Sequence, residues 1–340
     1  MRIHKSYPVL LLLGLLLSFS ACSELLIEPD PVDNPVENFE LLWREVNAKY
    51  TFFEYKNIDW QAVYQKYRPQ VNEKTTDEAL FNVLNAMLNE LKDGHVSLIA
   101  PFNAASNRSW YFNYPPNYNA NIIDRNYLQE NRRIILPFRT QWLADSTVAY
   151  IRYSSFSDAV SGESMTELFK YYGKAKGWII DIRDNTGGSL GNVDAIMAGF
   201  LDAETKVGAV RYKVGPGRDE FSKFFPYLIK TSGKGNKYFG KVIVLTNRKV
   251  YSAANFFTSA MSTLNNVTIL GDQTGGGGGA PYSGQLLNGW SYTFSTTLLL
   301  TPDNQQIENG VVPDVKVDMD TEEEAKGVDS ILEKAIGLLR

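Results

Sequence analysis

The chain has 340 residues, 34 Lys+Arg against 38 Asp+Glu, 44% hydrophobic and 13% aromatic side chains; this is ample material for one large or two modest folded domains and excludes a disordered chain. A formal charge of −4 excludes the basic field of a nucleic-acid binder. A single cysteine excludes an internal disulfide and any Cys₄ or Cys₂His₂ zinc site.

In chain order, residues 1–21 read as an export signal. Arg2, His4 and Lys5 form a basic start, residues 9–17 are nearly all Leu, and the small residues Ser20 and Ala21 precede Cys22,. The apolar run is short for a bilayer span, which needs about 20 residues. Phe19-Ser20-Ala21-Cys22 resembles a bacterial lipobox. That resemblance implies cleavage before Cys22, lipid on its sulfur and amine, and attachment to the cell envelope at the outer membrane, facing the periplasm or the cell surface. Residues 22–35, with three prolines and four acidic side chains, read as a flexible tether,.

Helical spacing then takes over in residues 36–98: Phe39, Leu42, Trp43, Val46 and Tyr50 recur at three and four, as do Trp60, Val63, Tyr64 and Tyr67,. Thr76 or Asp77 caps a third run, Leu80, Val83, Leu84, Met87, Leu88 and Leu91,. This spacing predicts an N-terminal helical subdomain whose aromatics are core. Residues 99–132 are rich in Asn, Pro and Tyr and irregular. From 133 to 340, apolar β-branched runs at 133–136, 148–153, 177–182, 241–245 and 267–270 alternate with helical patterns at 162–172, 192–201 and 253–264. Buried strands separated by helices predict an α/β core.

Four features of the chain carry candidate chemistry. Asp181-Ile182-Arg183-Asp184-Asn185-Thr186-Gly187-Gly188 follows an apolar strand; its two glycines can present backbone N–H groups to an anion or simply turn the chain, and no P-loop or complete G-x-G-x-x-G is present. Ser252 opens a helix after the strand ending at Leu245 and is either a helix cap or an exposed nucleophile. His95, in Lys-Asp-Gly-His-Val, is the one histidine beyond the signal; it can serve as a general base near neutral pH but cannot join a multi-histidine metal site. Gly275 to Gly279 and, later, Glu308 in Glu-Asn-Gly-Val-Val-Pro-Asp offer close backbone approach and a carboxylate that could orient an imidazole, or a loose loop and a surface charge.

Taken in order, Leu-Lys-Asp-Gly-His-Val, Asp-Ile-Arg-Asp-Asn-Thr-Gly-Gly, the Asn-Arg-x-x-x-Ser-Ala-Ala around Ser252, Gly-x-x-Thr-Gly-Gly and Glu-Asn-Gly-Val-x-Pro-Asp resemble the tail-specific, or C-terminal processing, serine peptidases, the group that includes the tricorn protease core and interphotoreceptor retinoid-binding protein. The resemblance implies a Clp-protease/crotonase-like α/β core, Ser252 as nucleophile, and an oxyanion hole from Ala253, Gly187 and Gly188. Lysine-dependent members carry their base where this chain has Gly277, so the resemblance points to the tricorn-like use of His95 and Glu308 with the serine, without a metal or other cofactor. The stretch between Leu98 and Tyr150 is short for the PDZ module of many members and lacks its glycine loop. The implied function is an exported, membrane-anchored serine endopeptidase acting on peptides or unfolded polypeptides. The alternatives are a non-catalytic protein that binds a peptide or apolar ligand on the same fold, and an esterase using the same site.

Overall fold

Three capped helices open the computed structural model, which describes residues 32–129, 132–215, 217–231 and 237–340; the expected signal 1–21, Cys22 and the tether as far as residue 31 lie outside them. These helices are α1 (Pro35–Lys49), α2 (Trp60–Tyr67) and α3 (Asp77–Asn89). Asn34 accepts the Glu37 N–H, Asp59 those of Gln61 and Ala62, and Thr76 that of Ala79, so each first turn finds acceptors that the helix itself lacks. Of the two candidate caps on the third run, Thr76 is the one used. The periodic residues Phe39, Leu42, Val46, Trp60, Leu80, Leu84 and Met87 are buried in one core.

The chain continues as β1 (Ser97–Ala100) and β2 (Asn103–Ser106), crosses residues 107–119 without helix or strand, and forms a short helical stretch at 120–127. Then come β3 (Arg133–Ile135), β4 (Phe138–Leu143), β5 (Val148–Arg152), α4 (Gly162–Tyr172), β6 (Gly177–Asp181) and α5 (Leu190–Met197). After β7 (Thr205–Tyr212), β8 (Phe225–Ile229) and β9 (Lys241–Thr246) follow α6 (Ala253–Met261) and β10 (Val267–Gly271). The chain closes with β11 (Gly279–Gln285), β12 (Ser291–Leu300), β13 (Val315–Lys316), α7 (Thr321–Ala325) and α8 (Ser330–Leu339).

One sheet of seven strands has the order β13-β10-β9-β6-β5-β4-β3, parallel from β13 to β5. Alternate residues of its strands face opposite layers: Trp178, Ile180, Val242 and Val244 pack with α4, α5 and α6, whereas Ile179, Ile243 and Leu245 pack with α8 and the stretch around Ile122. Covering both faces is what makes these strands continuous apolar runs. The second sheet, β2-β1-β12-β7-β8 with β11 also on β12, packs Trp290, Tyr292 and Phe294 against the N-terminal helices. This α/β architecture agrees with the class expected from sequence.

The strand order determines where chemistry can gather. β6, β9 and β10 are parallel neighbours, so the segments leaving their C-terminal ends, 182–189, 247–252 and 272–278, converge on one edge of the sheet. Open α/β sheets place ligands at that edge. Arg183 anchors the first segment from beneath: fully buried, it bonds both oxygens of Asp181 (3.0 and 2.7 Å) and both of Asp329 (3.1 and 2.9 Å), and Asp329 caps α8 through the Leu332 N–H.

Candidate active site

Ser252 stands at the turn from β9 into α6 with φ 56° and ψ −123°, and its side chain makes no capping bond. A non-glycine residue in this region costs about 1–3 kcal/mol and persists only where its surroundings hold it. They do here: the Ser252 N–H donates to Gly276 O (2.9 Å) and the Ser252 carbonyl accepts the Phe256 N–H (2.9 Å). The turn aims the hydroxyl out of the helix, and Oγ lies 2.9 Å from Nε2 of His95. Of the two readings of this serine, the cap is not the one realised.

His95 follows α3 in an Asp-Gly-His turn in which Asp93 Oδ1 accepts the His95 N–H (2.8 Å). The same oxygen is 3.7 Å from Nδ1, and Ser295 Oγ, from the middle of β12, is 3.4 Å from Nδ1. Asp93 and Ser295 are both fully buried. Gly94 leaves room for the rings on either side, since a Cβ there would meet Trp110 Nε1 and Tyr251 Oη at 2.5 Å. Burial of the imidazole lowers the His95 pKa from its ordinary 6.5, the Asp93 carboxylate opposing this and Lys56 adding to it. A neutral, proton-accepting ring near neutral pH is the result.

Glu308 lies in the same region without bonding His95. One of its oxygens accepts the Gly278 N–H (2.8 Å) and the other is 2.7 Å from Lys56 Nζ, with Glu308 buried and Lys56 partly so. Lys56 also donates to the carbonyls of Leu91 (3.4 Å) and Lys92 (2.9 Å), and so ties the carboxylate to the end of α3. Burial, with repulsion from Asp93, pushes the Glu308 pKa up to about 7 against the pull of Lys56. Gly277, where lysine-dependent members carry their base, has φ +80°, and a Cβ there would come within 2.5 Å of the Tyr251 ring.

The Gly187-Gly188 turn reaches Ser252 from the neighbouring strand. Both glycines have positive φ, and a Cβ on Gly187 would lie 2.8 Å from Ser252 Cβ and 3.0 Å from the Ala253 nitrogen. The Gly187 N–H is already engaged, donating to Asn185 Oδ1 (3.0 Å). Of the three expected oxyanion donors, Gly187 therefore shapes the turn, and Gly188 and Ala253 remain.

A cleft of about 500 Å³ opens over these groups, lined by His95, Ser252, Thr186 and residues from 107–119. Trp110 stacks on Tyr251 (centroids 4.1 Å apart, planes at 20°), and Arg248 holds this segment by donating to Trp110 O (2.8 Å) and Tyr114 Oη (3.3 Å). Among the described residues no cluster of His, Cys, Asp and Glu could hold a metal ion.

The sequence profile of Peptidase family S41 matches residues 147–317, and that of the Tricorn protease C1 domain matches residues 31–89. The chain belongs to peptidase family S41. A candidate peptidase of Parabacteroides merdae ATCC 43184 is 40% identical, with 91% of this chain and 97% of that one covered and a TM-score of 0.86. The carboxy-terminal processing protease CtpA of Bacillus subtilis (strain 168) is 26% identical over 192 residues, 55% of this chain and 39% of CtpA. The chain spans less than half the length of the first curated relatives it matches. The photosystem II D1 C-terminal processing protease shares the fold at 16% identity, with 84% of this chain and 94% of that one covered and a TM-score of 0.56. The S41 fold accounts for the Clp-protease-like α/β core.

Within the S41 frame, Ser252 and His95 meet directly, while Glu308 is paired with Lys56. Sequence reading missed Asp93 and Ser295, the two groups at Nδ1, and Lys56. Asp93 sits inside the Lys-Asp-Gly-His motif, where an Asp two residues before a His has the spacing of an Asx turn. A serine in a strand and a lysine in a turn carry no such local mark. The segment 99–132, to which the sequence attached no chemistry, supplies Arg108, Trp110 and Tyr111 to the cleft.

Proposed function

We propose that this S41 chain is a serine endopeptidase that hydrolyses peptide bonds in peptides or loosely folded polypeptides, with Ser252 as nucleophile and His95 as base. The 2.9 Å contact between Ser252 Oγ and His95 Nε2 carries the reading. With the Nδ1–H tautomer directed at Ser295 and Asp93, Nε2 accepts the Ser252 proton as Oγ attacks the substrate carbonyl. The Gly188 and Ala253 N–H groups receive the oxyanion, and the imidazolium returns the proton to the leaving amine before water releases the acyl group by the reverse path. Asp93 and Ser295 act as positioning residues, and Glu308 belongs to the same network through Lys56. Cleavage near a substrate C-terminus, as the name of the Bacillus relative says of that protein, is the corresponding proposal for this chain.

The proposal extends to export and anchoring: 1–21 as signal, lipid on Cys22, 22–35 as tether, 36–98 as helical subdomain, 99–132 as the segment over the cleft and 133–340 as catalytic core. The lipobox-like sequence supports it, and among the described residues no helix is long and apolar enough to cross a membrane.

Fluorophosphonate labelling with intact-mass analysis tests the chemistry. A single adduct on the wild type, lost in Ser252→Ala and His95→Ala, is the expected result; equal labelling of folded Ser252→Ala removes Ser252 from the mechanism. Membrane pelleting after a carbonate wash, compared with Cys22→Ala, tests the anchor.

A further inference from the structure

Tyr251, the residue before Ser252, reaches back over the turn that carries His95. Its ring lies 4.9 Å from that of His95 and stacks on Trp110. Gly94 and Gly277 make room for it, since a Cβ on the first would lie 2.5 Å from its hydroxyl and on the second 2.5 Å from its ring. Its backbone N–H donates to Asn185 O (3.1 Å), so both ends of the residue are fixed. The hydroxyl comes to rest over Gly94, the residue between Asp93 and His95.

Among the described residues neither Tyr251 Oη nor Asp93 Oδ2, both buried, has a hydrogen-bond partner. The other Asp93 oxygen is engaged by the His95 N–H, and Asp93 has no exposure to solvent. Leaving a buried carboxylate oxygen without a donor, and a buried hydroxyl without an acceptor, is costly. The two are complementary: one is an acceptor with open lone pairs, the other a donor whose proton turns about the C–O bond. Asp93 is also close enough to act on the phenol. Burial first, then the charges of Asp93 and Glu308, raise the Tyr251 pKa well above its ordinary 10, so the hydroxyl keeps its proton through the neutral range.

Tyr50 is the other tyrosine that feels the charge of Asp93, but its hydroxyl donates to Leu91 O (3.2 Å). Of the charged groups around the cluster, Lys56 is bound to Glu308 and to the carbonyls of Leu91 and Lys92. Across the cleft stand Arg108, and Lys249 paired with Asp184. None of these donates to Asp93 Oδ2.

We propose that Tyr251 is a positioning residue of this site, whose hydroxyl donates to Asp93 Oδ2 and holds that carboxylate, ionised, beside the imidazole. Asp93 then supports the charge that His95 gains on taking the Ser252 proton, and Tyr251 acts on the reaction only through Asp93. The inference rests on the reading of Ser252 and His95 as nucleophile and base.

The test reads His95 directly. His4 and His95 are the two histidines of the chain, so the imidazole Cε1 resonance that is absent from His95→Gln belongs to His95 and can be titrated in the full chain, in detergent, with isotope-labelled histidine. Tyr251→Phe removes the hydroxyl and keeps the ring on Trp110. Without its donor the Asp93 anion is less stable, so the His95 pKa should fall by about half a pH unit or more and the rate of fluorophosphonate labelling by about tenfold. In an Asp93→Asn background the same substitution should change them by less than about 0.2 pH units and about twofold. A change of equal size in both backgrounds, as lost packing would give, overturns the proposal. So does an unmoved or raised His95 pKa in Tyr251→Phe, or a fall found in Tyr50→Phe in its place. Melting temperatures verify that each variant folds. The titration needs no turnover: a folded wild type that takes no label overturns the peptidase reading, while the resonance still decides the role of Tyr251.

Discussion

Lys56 Nζ lies 2.7 Å from a Glu308 oxygen, so the glutamate expected in the network of His95 and Ser252 is held by a lysine, while Nδ1 of His95 faces Ser295 and Asp93. Two buried carboxylates, Asp93 and Glu308, therefore lie near the imidazole, and the ammonium is paired with Glu308. When His95 takes a proton, the nearest negative charge is that of Asp93.

Removing the lysine should be costly, because it strands a buried carboxylate. Lys56→Met is expected to lose about 3–5 kcal/mol of stability by chemical denaturation, with most of it recovered in Lys56→Met/Glu308→Gln. A loss under about 1 kcal/mol would mean that the pair does not hold the site together.

The raised Glu308 pKa gives a pH window. A carboxyl titrating near 7 in the folded chain and near its ordinary 4.5 when unfolded favours folding fully below about 4.5, and that contribution fades as pH rises through about 7. Wild type measured against Glu308→Gln should thus lose relative stability between those values; a pH-independent difference would contradict the shift.

Asp93→Asn keeps an acceptor for the His95 N–H and removes the charge that opposes the burial effect on the ring. The acid limb of wild-type kcat/KM should fall below the ordinary histidine value of 6.5; in the variant it should move lower still while kcat drops by at least about tenfold. Ser295→Ala should lower kcat with KM little changed. An acid limb above 6.5 in the wild type would count against this environment for His95.

Gly187→Ala would force a Cβ to 2.7 Å from Tyr251 O at φ +102°. Displacing the turn from Ala253 should reduce kcat/KM by about 100-fold or more, as loss of an oxyanion donor does, with fluorophosphonate labelling slowed in parallel. Unaltered labelling would detach this turn from the chemistry.

Arg183→Met would leave Asp181 and Asp329 facing each other in a site with no exposure. A loss of about 3–5 kcal/mol is expected, seen as a fall in melting temperature; Arg183→Met/Asp329→Leu should restore part of it.

The sequence by itself determined the local features: helix caps and periodicity at 34–89, the apolar parallel strands, and the strand-turn-helix junctions carrying Gly187-Gly188 and Ser252. Each is a short-range effect of backbone conformation and hydrophobic spacing. The order of the motifs also singled out His95, Ser252 and Glu308. Only the tertiary structure decided how these meet. Ser252 and His95 are 157 residues apart, β1 pairs with β12 through Ser97↔Thr293, and Lys56 reaches Glu308 across the boundary between helices and sheets. The second sheet and Ser295 within it owe their place beside His95 to layers packed from distant parts of the chain. A side chain's partner, and with it its charge state and function, is set by what that packing brings within a few ångströms of it.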